Sequence, residues 1–241
     1  IYPGAQELVI ACQNAGLKTM LVSGGFTYFA EHVRGLLGDS ARAVFTGQAA
    51  SPVGGAAPWQ TVAVNGAHAV ALYPAVLGTV QVPRALWLAP QDQALPSGPD
   101  VATDVWQWSE VMSGVTLVTQ PVFEAFVPQM LNYESVDGVN FKKGCYPGQE
   151  VVARSQFRGT LKRRAFIVQS DAPMAAGQEV FSSQDANQPC GLIAQAASDG
   201  AHHVAIAELQ LSATENSSLH LGTADGAVLS LLPLPYALRD D

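Results

Sequence analysis

Cysteine is scarce in this chain of 241 residues. Its three cysteines, Cys12, Cys145 and Cys190, are an odd number at wide spacing, which excludes a framework of paired disulfides. Such usage is typical of a reducing compartment, so we expect a cytoplasmic protein. Long apolar runs are also missing, since no segment approaches the ~20 residues that a membrane-spanning helix needs. The sequence therefore predicts no membrane partner.

Charge is equally sparse. Only 13% of the residues are charged and the net charge is −8, which excludes a broadly basic surface and predicts no direct contact with nucleic acid. The hydrophobic content of 48% is enough to fill a globular core. The first residues, "IYPGAQ", lack a methionine, and we expect the chain to be a fragment of a longer frame.

Local patterns in the first 160 residues predict helices and strands in turn. The pattern of residues 1–38 predicts a helix, a strand and a second helix. The segment "GQAASPVGGAAP" is predicted to be a loop. Asn65-Gly66, between two β-rich runs, predicts a tight hairpin, and "PRALWLAP" predicts a further strand. Residues 101–113 suit a helix, with Gly114 as its C-terminal stop.

After residue 160 the pattern changes to short strands separated by polar or glycine turns. The segments are "RRAFIVQSD", "GQEVFSS", "CGLIAQAAS", "HHVAIAEL" and "GAVLSLLPLPY". Strands of this length at regular spacing predict a small β-barrel or sandwich.

The positive charge is concentrated in one segment, "FKKGCYPGQEVVARSQFRGTLKRR". It holds seven of the twelve lysines and arginines: Lys142, Lys143, Arg154, Arg158, Lys162, Arg163 and Arg164. Because arginine matches carboxylates and phosphates with two parallel hydrogen bonds, the segment predicts an anionic partner. A solvated edge of the fold is the simpler interpretation.

Cys145 lies inside this basic segment. Lys142 and Lys143 favour its thiolate form, and Pro147-Gly148 predicts a type II turn that exposes it together with Glu150. Taken alone, a lone cysteine is more often a small apolar filler of the core. The five histidines lack partners at the spacing of a metal site, so no metal is predicted.

The segment "FVPQMLNYESVDGVNFKKGCYPGQEVVARSQFRGTLKRR" closely resembles the signature of the YgfZ family. These folate-binding proteins are related to the aminomethyltransferase, or T-protein, of the glycine cleavage system. The resemblance runs from about residue 38 to residue 241. It implies tetrahydrofolate as cofactor and an accessory role in the assembly or repair of iron–sulfur clusters, which indirectly supports tRNA modification.

The resemblance also assigns site residues. It implies that Cys145 is the functional thiol and that Trp106, eight residues before Gly114, stacks on folate, with Trp108 fitting that count less well. A core tryptophan on an amphipathic helix is the other interpretation of Trp106. Basic groups that receive the carboxylates of folate are expected at Arg154 and Arg158, although either of them can instead support the fold through Glu150.

Residues 1–38 are similar to a different family, the phosphoserine phosphatase branch of the haloacid dehalogenase superfamily. There, "VSGGFT" places Ser23 and Gly24 where that family binds phosphate at a helix start. The aspartate motifs that the phosphatase reaction needs are missing from the sequence, so we expect no phosphatase activity. A packing remnant is the preferred interpretation, and the N-terminal folate-contacting segment of the YgfZ relatives is not expected here.

Together these patterns predict an α+β protein. Its divisions are a dehalogenase-like fragment over 1–38, a partial aminomethyltransferase-like folate-binding domain over 39–160 and a C-terminal β-barrel over 161–241. The expected partners are folate and iron–sulfur proteins or their assembly machinery. An accessory protein is favoured over a conventional enzyme, and the alternative is a tetrahydrofolate-dependent aminomethyltransferase.

Overall fold

The computed structural model describes residues 41–47, 55–90, 93–94, 98–139, 141, 149–157, 161–215 and 217–239, with the backbone alone for 41–47, Leu77 and Pro90. The helix-strand-helix predicted for residues 1–38 lies outside these ranges. Cys145, Arg158 and the turn predicted at Pro147-Gly148 lie outside them as well.

The first described part of the chain is an antiparallel sheet of four strands. It consists of β1 (Ala41–Gly47), β2 (Thr61–Val64), β3 (Ala67–Leu77) and β4 (Val80–Pro90), in the spatial order β1-β4-β3-β2. The hairpin predicted at Asn65-Gly66 is confirmed: the two residues have φ angles of 46° and 83°, and Val64 pairs with Ala67. The strand predicted at "PRALWLAP" is the second half of β4.

A single regular helix, α1 (Thr103–Val111), follows the sheet within the described ranges up to residue 139. The C-terminal end of α1 is buried. There, Val111 and Met112 belong to the core cluster that also contains Ile167 and Ile206 of the barrel. Gly114 has the positive φ angle, 68°, expected of a helix stop. A Cβ atom at this glycine would lie 3.0 Å from the Tyr236 ring, so close packing also favours glycine there.

Two 3₁₀ turns (Gln120–Val122 and Pro128–Leu131) and helix α2 (Gln149–Phe157) lead to the second sheet. This sheet is a closed barrel with the strand order β10-β5-β8-β7-β6-β9. Its strands are β5 (Arg163–Ser170), β6 (Glu179–Ser182), β7 (Asp185–Ser198), β8 (His203–Gln210), β9 (Leu219–Leu221) and β10 (Val228–Leu232), with a short helix α3 (Leu211–Thr214) after β8. The predicted barrel is confirmed, and the described part of the chain is mostly sheet with few helices.

Burial of apolar side chains inside the barrel explains why these strands could be predicted from the sequence. Apolar side chains from β5, β7 and β8 are fully buried, among them Val168, Ile193, Ala207 and Leu209. Burial of each such side chain stabilises the fold by roughly 1.5–3 kcal/mol. Among the helices in the described ranges, none is long and apolar enough to cross a membrane.

The C-terminal tail ties the barrel to the elements before it. The Tyr236 hydroxyl donates to the carbonyl of Gly114 at 2.6 Å, and its ring contacts Tyr73 of β3 with the centroids 5.4 Å apart. Tyr73 in turn contacts Trp59, whose indole N–H donates to the carbonyl of Val136 at 2.8 Å. This chain of aromatic rings joins the sheet, the loop after α1 and the tail.

Candidate functional site

Trp106, the residue expected to stack on folate, lies in the first half of α1 with its side chain half-buried. Its indole hydrogen-bonds with the carboxylate of Glu110, one turn further along the helix. Trp108 faces elsewhere and packs against the core cluster shared with the barrel. Both tryptophans of "VWQW" are half-buried, and they differ in their neighbours: Trp106 contacts Glu110, whereas Trp108 packs on the core cluster.

Arg84 of β4 lies against the indole of Trp106. Its guanidinium carbon is 4.4 Å from the ring centroid, which is the geometry of a cation–π contact. Arg84 is only 4% exposed. The indole thus covers a buried positive charge.

The guanidinium of Arg84 is poorly supplied with hydrogen-bond partners. Its Nη1 is 3.4 Å from the carbonyl oxygen of Tyr73, and its Nη2 is 3.9 Å from a carboxylate oxygen of Glu110. Its Nε, which is buried, has no hydrogen-bond partner. Because well-formed N–H···O bonds are about 2.7–3.2 Å long, this charge is compensated mainly by Glu110 and by the indole.

We call Arg84, Trp106 and Glu110 the Arg84 cluster. Burial lowers the pKa of Arg84 to about 10, an effect that the neighbouring Glu110 opposes. Burial raises the pKa of Glu110, and the positive charge of Arg84 and the hydrogen bond from Trp106 oppose that rise. At neutral pH the guanidinium therefore stays protonated beneath the indole.

Sequence reasoning missed Arg84 and Glu110. One signal was present, because an arginine inside the apolar run "VPRALWLAP" cannot be buried without a partner. Which partner it takes depends on how α1 packs beside β4, and local pattern does not report that.

Helix α2 carries two of the predicted site residues. Glu150 and Arg154 are both exposed and lie one turn apart, and no ion pair joins one to the other. The helix is held in place by Val152, which is buried and whose carbonyl accepts a 2.7 Å hydrogen bond from Gln129. Both charges thus point away from the side that anchors the helix.

Two aromatic side chains of the basic segment contact each other. The rings of Phe141 and Phe157 are 5.7 Å apart in an edge-to-face arrangement, and both are exposed.

Arg163 and Arg164 have partners within the chain itself. Arg164 is 6% exposed and forms an ion pair with the buried carboxylate of Glu134. Arg163 pairs with Glu208 through both carboxylate oxygens, one of them at 3.0 Å from Nη2. The expectation that the whole basic segment serves an external anion is therefore wrong for these two arginines, because carboxylates of the fold already neutralise them.

One small hollow lies among the described residues, in the loop between α1 and α2. Its volume is about 80 Å³. Its lining residues are mostly apolar: Val118, Val122, Glu124, Phe126, Pro128, Leu131 and Tyr133. Sites for drug-sized ligands measure roughly 300–1,000 Å³, so this hollow does not fit a folate.

No family model matches the chain. Several curated relatives named tRNA-modifying protein YgfZ do match. The protein of Photobacterium profundum is 32% identical over 140 residues, which is 56% of this chain and 43% of that relative. The protein of Edwardsiella ictaluri is 33% identical over 137 residues, or 55% of this chain and 41% of the relative.

A third relative, from Aliivibrio fischeri, is 29% identical over 141 residues. This match covers 57% of the present chain and 43% of that protein, so the chain spans less than half the length of the curated relatives it matches. These relatives give no support to the phosphatase resemblance of residues 1–38.

Proposed function

We propose, from the premise that this chain belongs to the YgfZ family over the matched residues, that it is a folate-binding accessory protein in iron–sulfur cluster assembly or repair. The name of its relatives, tRNA-modifying protein, points to tRNA modification, and we propose an indirect, supporting role there for this chain. Its partners on this proposal are tetrahydrofolate and iron–sulfur proteins or their assembly machinery.

The Arg84 cluster is the observation that carries the proposal. An indole held on one face by a guanidinium and at its edge by a carboxylate is a rigid platform for a flat heteroaromatic ring. Such a platform suits the pteridine or aminobenzoyl ring of folate. Rigidity matters because a side chain that is already fixed loses little conformational entropy on binding.

The exposed charges of α2 supply the second part of the proposed site. Arg154 is free of an ion pair with Glu150 and is exposed, so it is available for the carboxylates at the glutamate end of folate. Arg158 and Cys145 lie outside the described residues, and their roles as carboxylate receptor and functional thiol rest on the family resemblance.

Replacing Trp106 with alanine is expected to weaken tetrahydrofolate binding at least about fivefold, because stacking of a heteroaromatic ring on an aromatic side chain contributes roughly 1–3 kcal/mol. Isothermal titration calorimetry under anaerobic conditions measures the Kd. Trp108→Phe on the same helix is the matched control, and its Kd should stay within about twofold of the wild type, since Trp108 packs inward. Equal binding by wild type and Trp106→Ala would remove Trp106 from the site.

The proposed thiol role of Cys145 predicts selective alkylation. Cys190 is 6% exposed inside the barrel and burial raises the pKa of its thiol, so it should resist iodoacetamide in the folded protein. Cys145, beside Lys142 and Lys143, should react at least about tenfold faster at pH 7. Mass spectrometry of timed digests distinguishes the two sites, and Cys190 should become reactive only in denaturant. Faster labelling of Cys190 would contradict the assignment of Cys145.

A further inference from the structure

A serine and a histidine on the outer face of the barrel are joined by a hydrogen bond. His220 lies in β9, and Nε2 of its ring is 2.9 Å from Oγ of Ser218, two residues earlier in the chain. Nδ1 of the same ring is 3.0 Å from the carbonyl oxygen of Gly226. His220 is half-buried and Ser218 is exposed, so the serine lies where a dissolved molecule can reach it.

The carbonyl of Gly226 decides which nitrogen of the neutral imidazole carries the proton. A carbonyl oxygen only accepts hydrogen bonds, so Nδ1 of His220 is the nitrogen that donates to it. Nε2 is then unprotonated, and it accepts the hydrogen bond that the Ser218 hydroxyl donates. A hydroxyl bonded to a base that a third group orients is the arrangement by which serine nucleophiles are activated.

The backbone is fixed on both sides of this Ser218–His220 pair. Ser183, which directly follows β6, donates its N–H to the carbonyl of Ser218 at 2.9 Å, and its Oγ accepts from the N–H of Ser218 at 3.1 Å. Gly226 lies in the turn between β9 and β10, where a Cβ atom would be 1.9 Å from the carbonyl oxygen of Leu221. Because these groups are held in place before a substrate arrives, little entropy is lost in reaching the reactive geometry.

Apolar side chains flank His220 on the two neighbouring strands. His220 pairs with Phe181 of β6 and with Val228 of β10, and residues directly opposite each other in a sheet point to the same face. Phe181 is half-buried and Val228 is 57% exposed. The two side chains provide an apolar surface beside the serine, of the kind that an acyl chain contacts.

We infer that Ser218 is a nucleophile that takes an acyl group from activated esters, with His220 as its general base. Oγ of Ser218 forms a bond to the ester carbonyl carbon while the bond from that carbon to the leaving oxygen breaks. The hydroxyl proton passes to Nε2 of His220 and then to the leaving group. Water then attacks the acyl carbon, its proton returns to Oγ through Nε2, and the free acid leaves. The Ser218–His220 pair shares no residue with the Arg84 cluster or the basic segment, so this activity is independent of the proposed folate binding.

The probe for this activity is p-nitrophenyl hexanoate, because its leaving group is coloured and its acyl chain is apolar. The purified chain should release p-nitrophenol and gain a hexanoyl group, which tandem mass spectrometry should locate on Ser218. The rate of release should fall at least about tenfold in Ser218→Ala and in His220→Gln, since general-base catalysis contributes roughly 100-fold or more. Ser212→Ala and His202→Gln change another exposed serine and another exposed histidine, and both should keep the wild-type rate.

Two results of this experiment would overturn the inference. A wild-type rate in Ser218→Ala would show that another group attacks the ester, and a hexanoyl group found elsewhere would identify it. A wild-type rate in His220→Gln would show that the serine has no base in this histidine. Circular dichroism of each variant checks that the barrel is intact, and Ser218→Ala keeps the test decisive because the position is exposed.

The apolar surface is tested by the choice between two acyl chains. Relative to uncatalysed hydrolysis, the wild type should be acylated about threefold faster by p-nitrophenyl hexanoate than by p-nitrophenyl acetate, because additional methylene groups leave water. Val228→Ser should bring this ratio close to one, and the core should stay intact because Val228 is 57% exposed. An unchanged ratio in Val228→Ser would contradict contact between the acyl chain and this surface.

Discussion

Replacing Arg164 with leucine is expected to lower the free energy of unfolding by about 3–5 kcal/mol. Arg164 is 6% exposed and pairs with Glu134, which is 1% exposed. Without the guanidinium, a carboxylate is left buried with no opposite charge, and its Oε2 already lacks a hydrogen-bond partner. Urea unfolding followed by circular dichroism measures the loss.

Two further variants distinguish the buried charge from a general loss of packing. Arg239→Leu breaks the exposed pair with Asp137, whose side chains are 52% and 64% exposed, and should cost at most about 1 kcal/mol. Adding Glu134→Leu to Arg164→Leu removes the buried carboxylate that Arg164→Leu leaves unpaired. The double variant should therefore regain at least half of the lost stability. A double variant as unstable as Arg164→Leu would show that lost packing, not the unpaired charge, dominates.

Gly191→Ala is expected to cost about 3 kcal/mol, at the upper end of the range for overpacked cores. Gly191 pairs with Leu209 in the barrel, and a Cβ atom there would lie 2.3 Å from the carbonyl oxygen of Glu208 and 2.5 Å from Cδ2 of Leu209. The first of these atoms belongs to the backbone of β8, so relief requires strands β7 and β8 to separate. The midpoint of thermal unfolding should fall accordingly.

Gly200→Ala is the control for the backbone freedom of glycine. A Cβ atom at Gly200 meets nothing within 4 Å, but its φ angle of 95° disfavours other residues. The expected cost is about 1 kcal/mol. A cost of Gly191→Ala no larger than that of Gly200→Ala would show that contact with β8 does not fix Gly191.

Local signals located several elements from the sequence alone. Asn65-Gly66 fixed the hairpin of β2 and β3 because few dipeptides accept two positive φ angles. Gly114 marked the end of α1 for the same reason, although the helix is shorter, Thr103–Val111, than the predicted 101–113. The short apolar strands after residue 160 indicated the barrel because most of the side chains of strands such as β5 and β8 are buried.

The local sequence signals for other elements are weaker. Strand β9, Leu219–Leu221, has three residues, too few for any alternation to be recognised. Strand β1, Ala41–Gly47, lies at the edge of its sheet, and its pairing with β4 is a long-range contact that the local sequence does not report.

For the candidate site, the sequence by itself determined which residue types were present: a tryptophan on a helix, a cysteine among lysines and a cluster of arginines. Their partners were decided by the tertiary structure, which placed Arg84 behind Trp106 and directed Arg164 to Glu134. The reason is physical. Turn and helix preferences act between neighbours in the chain, whereas a charge buried by folding takes whichever opposite charge or aromatic face the packing of distant elements brings within a few ångströms.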